Sequence, residues 1–258
     1  PLSVNVNSGT TTLTLTGTNT FTGDIAVSAG ALEIGGAGQL GGGTYAGAIQ
    51  NDGALKVNST SVQTLAGAIS GNGAVIKDNA GTLTLAVANA ALNGNVTNRA
   101  GTIQVNASGA FGNGTLVLDG GTVVNGGSSD IAIANNIEVI GGGGSIALSV
   151  AKNIDLTGAL SGSGNLTLGG PNPLSSLNLY FSANTLSGTI TIPNSTAINQ
   201  TVTRFKAASA GSATAAWSIG GAQDRGNSLD FDGTIDFGAL SGPGLIGGNG
   251  GGLKTLSV

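Results

Sequence analysis

Four aspartates, Asp224, Asp230, Asp232 and Asp236, form the only acidic cluster in the sequence, with Arg225 among them. Converging carboxylates can hold Ca²⁺, an ion that takes roughly six to eight oxygens, and Asp230, Asp232 and Asp236 are the candidates. Set in a groove beside Arg225, Asp224, Asp230 and Asp232 would instead serve a polysaccharide-cleaving enzyme as acid and base. The spacing fits neither an EF-hand loop nor the glycine-aspartate repeats of calcium β-rolls, and solvated turn residues would look the same. Tyr180 and Trp217 could stack on sugar rings of a surface glycan, as an adhesin requires, or fill the core. There is no His, no Cys and no Met. The commonest general base, the thiol nucleophile and the disulfide framework are therefore missing. The expectation is a non-catalytic protein without cofactor. Only eight Lys and Arg are present, the net charge is −4, and no basic stripe exists to follow a phosphate backbone, so nucleic acid is not an expected partner.

The elements that must carry these residues follow from glycine spacing. Gly101, Gly144, Gly164 and Gly188 each open a short phrase with two aliphatics two positions apart, and Gly121 opens the shorter phrase Thr-Val-Val. In an extended strand such a pair points to one side, which makes a short strand with one buried face. The pattern of Gly, small residue, aliphatic, any residue, then aliphatic or Phe recurs at Gly30, Gly53, Gly81, Gly101, Gly114, Gly144, Gly164, Gly188 and Gly233, against roughly two occurrences expected by chance. Self-similarity at a period of about 20 residues, with one strand per period, predicts a β-solenoid of about twelve coils. No single coil buries enough apolar surface to offset the entropy of ordering it, so coils must be stacked.

Composition agrees. Charged residues are 8% and glycines number 48 of 258, yet Val, Ile and Leu recur throughout, so the chain is ordered, β-rich and turn-rich. No apolar run reaches the ~18 residues of a membrane span. A single solenoid over 1–258 is expected. Within it, 171–237 holds six of the nine aromatics (Tyr180, Phe181, Phe205, Trp217, Phe231 and Phe237), which predicts a wider or differently filled interior, or an insertion. The alanines around 205–216 suggest a short helix. Gly-Ala-Ile-Ser-Gly from Gly67 and Gly-Ala-Leu-Ser-Gly from Gly158 and Gly238 read as tight corners. Thr10, Thr12, Thr14, Thr16, Thr18, Thr20 and Thr22 alternate without a break; an ice-binding face would need this row repeated on later coils, where Glu33, Lys56 and Gln104 stand instead.

The stretch from Thr12 to Gly23, continuing through Val27 to Leu32, resembles the autotransporter-associated β-strand repeat, also called the passenger-associated transport repeat. The usual phrase is G-T-L-T-L-x-G-x-N-T-[FY]-T-G followed by V-x-x-G-x-L; this copy departs at Asp24, Ile25 and Ala26. A second copy runs from Gly81 through Leu85, Asn89, Gly94, Val96 and Gly101, with one extra residue and no aromatic. A third fragment is Asn184 to Gly188. The resemblance implies an exported bacterial β-helix, right-handed and parallel, often carried by an outer-membrane β-barrel translocator. It implies no catalytic residue.

Solenoids expose unpaired strand edges at their ends unless capped. Leu2, Val4 and Val6 at one end, and Leu253, Leu256 and Val258 at the other, look like core-forming strands. They predict pairing with copies of the chain, end to end as in a filament, or with the remainder of a longer chain. The overall expectation is an all-β, right-handed parallel β-helix acting as an extracellular or surface structural element, a rod or fibre subunit, with a carbohydrate-binding adhesin as the alternative.

Overall fold

The computed structural model describes residues 4–169, 175–193, 202–220, 227–230, 233–244, 246–248 and 254–258. The chain is all-β, with two three-residue 3₁₀ turns as the only helical elements among the described residues. Its strands pair in parallel, rung on rung, as a β-solenoid of about eleven turns. They fall into two compact units, 1–122 and 123–258.

Turns carry up to three strand positions where one per period is expected; the glycine-led phrase leads into two of the faces, and the third is made of short pieces without it. In the first unit, face one comprises the start of Ile25–Gly36, then Ile49–Asn51 and Ile69–Ser70. Residues 4–6 of Val4–Leu15 also lie on face one, and its residues 12–15 open face two, which continues through the rest of Ile25–Gly36, Ala54–Ser59, Ala74–Lys77, Val96–Asn98 and Leu116–Leu118. Face three stacks Thr44–Tyr45, Gln63–Leu65, Thr82–Leu85 and Thr102–Val105. In the second unit, face one runs Ile131–Ile133, Ile154–Leu156, Ser176–Leu179, Val202–Phe205, Asn227–Leu229 and Ile246–Gly248. Face two holds Ile137–Val139 and Leu160–Gly162. Face three runs Gly144–Leu148, Leu166–Leu168, Thr189–Ile192, Ser212–Ile219, Gly233–Ser241 and Lys254–Ser257.

Period-two alternation decides which side chains enter the core. Leu55 and Val57 are fully buried while Lys56 between them is not, and Ile103 and Val105 flank Gln104 in the same way. The parallel register stacks like on like, as in the buried column Leu32, Leu55, Val75, Val96 and Leu116. Outward, Thr14 is followed by Glu33, Lys56 and Ile76, and the ladder shifts between Asn7 and Thr12. The threonine row is therefore neither flat nor repeated.

Corners bring main chains into direct contact. A Cβ on Gly94 would lie 1.9 Å from the Gly73 carbonyl oxygen, and one on Gly114 would lie 2.2 Å from that of Gly94. The Gly-Ala-[Ile/Leu]-Ser-Gly phrases are short strands rather than turns, with Ile69 and Leu160 buried in ladders. Each ends on a glycine at φ near +100°: 101° at Gly71, 109° at Gly162 and 103° at Gly242. That conformation suits residues without a Cβ. Asn and Asp oxygens satisfy corner N–H groups that the ladders leave over. Asp24 Oδ1 accepts from Ala48 at 3.0 Å, Asn95 Oδ1 from Thr115 at 3.0 Å, Asn136 Oδ1 from Ala159 at 3.1 Å and Asn153 Oδ1 from Ser176 at 2.7 Å. On the outside of the first unit Asn113 donates to Asn93 at 3.0 Å, and Asn93 to Asn72 at 3.2 Å.

The aromatic-rich portion has longer turns. In the first unit Thr82 pairs with Thr102, a step of 20 residues. In the second, Ile190 pairs with Trp217, a step of 27. Phe205, Trp217 and Phe237 fill the enlarged interior, with ring centroids 5.1 to 5.6 Å apart. The expected helix is only the 3₁₀ turn Ala208–Ala210, followed by the strand Ser212–Ile219. Alanine's helix preference loses there to alternation, because Ala215, Trp217 and Ile219 all face the core.

Gly94→Ala is expected to lower unfolding free energy by about 3 kcal/mol, since backbone must move to admit the methyl group. Gly17, whose Cβ would meet nothing within 4 Å, is expected to accept alanine within about 0.5 kcal/mol. Urea unfolding of the two variants makes the comparison.

Candidate functional site

The acidic cluster is not assembled on one strand. Asp230 follows Asn227–Leu229 on face one of the second unit, whereas Asp236 lies exposed within Gly233–Ser241 on face three. The Asp230 carboxylate, 7% exposed, meets Lys206 Nζ at 2.8 Å. Asp224, Arg225 and Asp232 lie outside the described residues. Among the described residues, no three His, Cys, Asp or Glu side chains gather as metal ligands would.

Trp217 is removed from the sugar-stacking reading: it is 1% exposed and packed edge-on against Phe237. Its strand position points inward, and the longer turn makes room for it. At one proposed contact end, Val4 and Val6 pair with Ile25 and Val27, and Val6 is buried. At the other, Leu256 pairs with Ile235 yet stays 43% exposed, and Val258 is 74% exposed. Leu2 and Leu253 lie outside the described residues.

Tyr180 is different. Leu179 and Phe181 on either side are fully buried, which turns Tyr180 outward at 40% exposure. The main chain sets its neighbours: Tyr180 N–H donates to the Leu156 carbonyl, Lys206 N–H to Leu179 and Asp230 N–H to Phe205, each at 2.9 Å. Thr157, Tyr180, Lys206 and Asp230 therefore form one outward column. Two residues back along each strand, Asp155, Asn178 and Arg204 form a second column in direct register. Rungs ~4.8 Å apart and columns ~6.6 Å apart give a patch roughly the size of one or two sugar rings.

Within this patch, Asn178 Nδ2 donates to Asp155 at 2.6 Å. Asn178 Oδ1 is buried and accepts nothing. One rung on, the half-buried Arg204 guanidinium forms no ion pair or hydrogen bond among the described residues. A buried acceptor without donor is uncommon and costly, whereas the part-exposed guanidinium beside it remains open to water or to a ligand. Sequence reading missed Asn178 and Arg204 because they stand 26 residues apart, in the irregular part of the period. The available signal was the alternation Leu177-Asn178-Leu179.

Two other places could carry chemistry. A shallow trough of about 380 Å³ on face one of the first unit is lined by Asn5, Asp24, Ala26, Gln50 and Ser70 among others. Its main polar groups are engaged, Asp24 with Ala48 and Gln50 with Asp52. Lys77 occupies a core column between Val57 and Asn98 and is fully buried. Its Nζ donates to the carbonyls of Asp78 and Asn79 at 2.6 Å and of Ala100 at 3.3 Å. Burial pushes its pKa down to about 8, against an upward pull from Asp78. A lowered lysine pKa is a common mark of a nucleophile, but this ammonium uses its three protons to tie corner carbonyls and has no exposed surface.

A family model described as passenger-associated-transport-repeat matches residues 6–34 and 75–105. No curated protein and no solved structure matches the chain. Both matched stretches lie in the first unit and each spans one turn, bringing Leu13 onto Leu32 and Leu83 onto Ile103.

Trp217 is the only tryptophan, so its burial is directly measurable. Native emission is expected to be blue-shifted and poorly quenched by acrylamide, with both changing on unfolding. For Lys77, the unfolded chain binds the extra proton between pH 8 and 10.5, so folding stability is expected to be level below pH 8 and to rise above it. The slope is at most about 1.4 kcal/mol per pH unit. Denaturant unfolding at pH 7, 8, 9 and 10 should show that rise in the native protein and its loss in Lys77→Met.

Proposed function

We propose that this chain, a passenger-associated-transport-repeat β-solenoid, is exported and displayed at a bacterial surface as a structural element that carries out no chemistry of its own. The observation that supports this reading is the coincidence of repeat and turn: the matched stretches each supply one stackable coil. The repeat's name attaches it to passengers, and an outer-membrane translocator is the partner that export would need. No helix among the described residues is long and apolar enough to cross a membrane.

Charged side chains are used for cohesion. Arg99 lies 3.7 Å from Asp78 and 4.0 Å from Asp119, one coil to each side, and Lys206 holds Asp230. Self-association is the finer reading. The strand Lys254–Ser257 pairs on one side with Gly233–Ser241 and keeps Leu256 exposed, which suits pairing with a further coil of a copy or of the same chain. Adhesion is the other finer reading, supported by the outward Tyr180.

The test is protease shaving of intact source cells with antibody detection, followed by electron microscopy of the released material. Loss of the antigen from unbroken cells is the expected result, and unbranched filaments in the released fraction would favour self-association. Antigen protected until the cells are lysed would reject surface display.

A further inference from the structure

The two unmet groups on face one of the second unit are complementary to a single kind of ligand. The Arg204 guanidinium presents a planar fork of donors that meets no acceptor among the described residues, in the geometry that matches a carboxylate in bidentate fashion. Asn178 Oδ1 on the neighbouring rung has no donor. The two do not satisfy each other, although their backbones are in direct register. Tyr180 adds an exposed ring one column away, at a distance suited to the apolar face of a pyranose. Lys206, on the rung beside Tyr180, is neutralised by Asp230, which among the described residues of this face leaves Arg204 as the cation for the ligand.

We propose that the Asn178, Tyr180 and Arg204 face binds a carboxylate-bearing sugar, a uronic acid unit of an acidic polysaccharide. The sugar ring lies on Tyr180, its carboxylate takes the Arg204 fork, and a ring hydroxyl reaches the Asn178 rung once Arg204 swings to the ligand. A neutral sugar meets only the ring and leaves the guanidinium unsatisfied. Trp217 plays no part. The inference goes beyond surface display and is tested apart from it, on purified protein, so failure of either leaves the other standing.

The experiment is isothermal titration of the full chain with tetragalacturonate and with its methyl ester, which keeps the ring and removes the charge. Binding of the acid at least ten-fold tighter than the ester is expected, weakening with added salt. Arg204→Gln should abolish the preference and Arg204→Lys should restore only part of it. Tyr180→Ala should weaken acid and ester alike, and Tyr180→Phe should leave both unchanged. Each variant is checked for native melting, and perturbation of the Tyr180 and Asn178 amide resonances on titration provides a readout that needs no variant. Equal affinity for acid and ester, absence of binding at millimolar tetragalacturonate, or an acid preference that survives Arg204→Gln with native melting would each overturn the proposal.

Discussion

The constraint on which both units depend is main-chain contact at the corners. When one coil sits on the next, the carbonyl oxygens of the lower turn occupy the space where side chains of the upper turn would begin. The column through Gly53, Gly73, Gly94 and Gly114 shows it most directly, each glycine lying over the carbonyl of the one before. Composition follows from this. A chain must be rich in glycine where backbones touch, and rich in Asn and Asp where a corner N–H would otherwise face an empty rung. Each such side-chain bond contributes about 1 kcal/mol net, but an unmet buried N–H costs more than that. The corner residues thus hold the register as much as they add stability.

The interior obeys a second rule, that a column shares one cross-section through successive coils. Most columns meet it with Leu, Ile and Val. Where they do not, some replacements bring their own polar partners. In the column Val57, Lys77, Asn98 and Leu118, Lys77 takes three carbonyls and Asn98 donates to the Thr122 carbonyl at 3.0 Å. Tyr45, also buried, donates its hydroxyl to the Gly23 carbonyl and packs edge-on against Phe21. Burial, with Asp24 nearby, pushes the Tyr45 hydroxyl up to about 12, so it stays a donor. The second unit departs further by lengthening its turns, and the aromatic trio occupies the added width.

Sequence reading reached the fold because its carriers are local. Gly101 before Thr102–Val105 and Gly188 before Thr189–Ile192 stand where the phrases place them. It did not reach the three-strand turn, because pieces such as Ile69–Ser70 are two residues long and show no alternation. It also mixed faces: Gly53 and Gly73 lead into face two, while Gly81 and Gly101 lead into face three. Even the repeat phrase is not bound to a face, since Thr12 to Leu15 pairs on face two and Thr82 to Leu85 on face three. The candidate site was less legible. Trp217 and Tyr180 both stand in alternating stretches, and only the register separates the buried ring from the exposed one. Asp230 and Asp236 are close in sequence but a corner apart in space. Arg204 becomes conspicuous only when the register shows that no described acceptor meets it.

The described pairings join residues between 19 and 27 positions apart, from Asn227 with Ile246 to Ile190 with Trp217. Loop closure therefore costs nearly the same for each added turn, whatever the length already stacked. Absolute sequence separation stays fixed while the chain grows, so relative contact order falls as coils are added. A lineage built this way can gain or lose a whole turn by duplication or deletion without recasting the rest, and its length is free to follow the distance that has to be spanned.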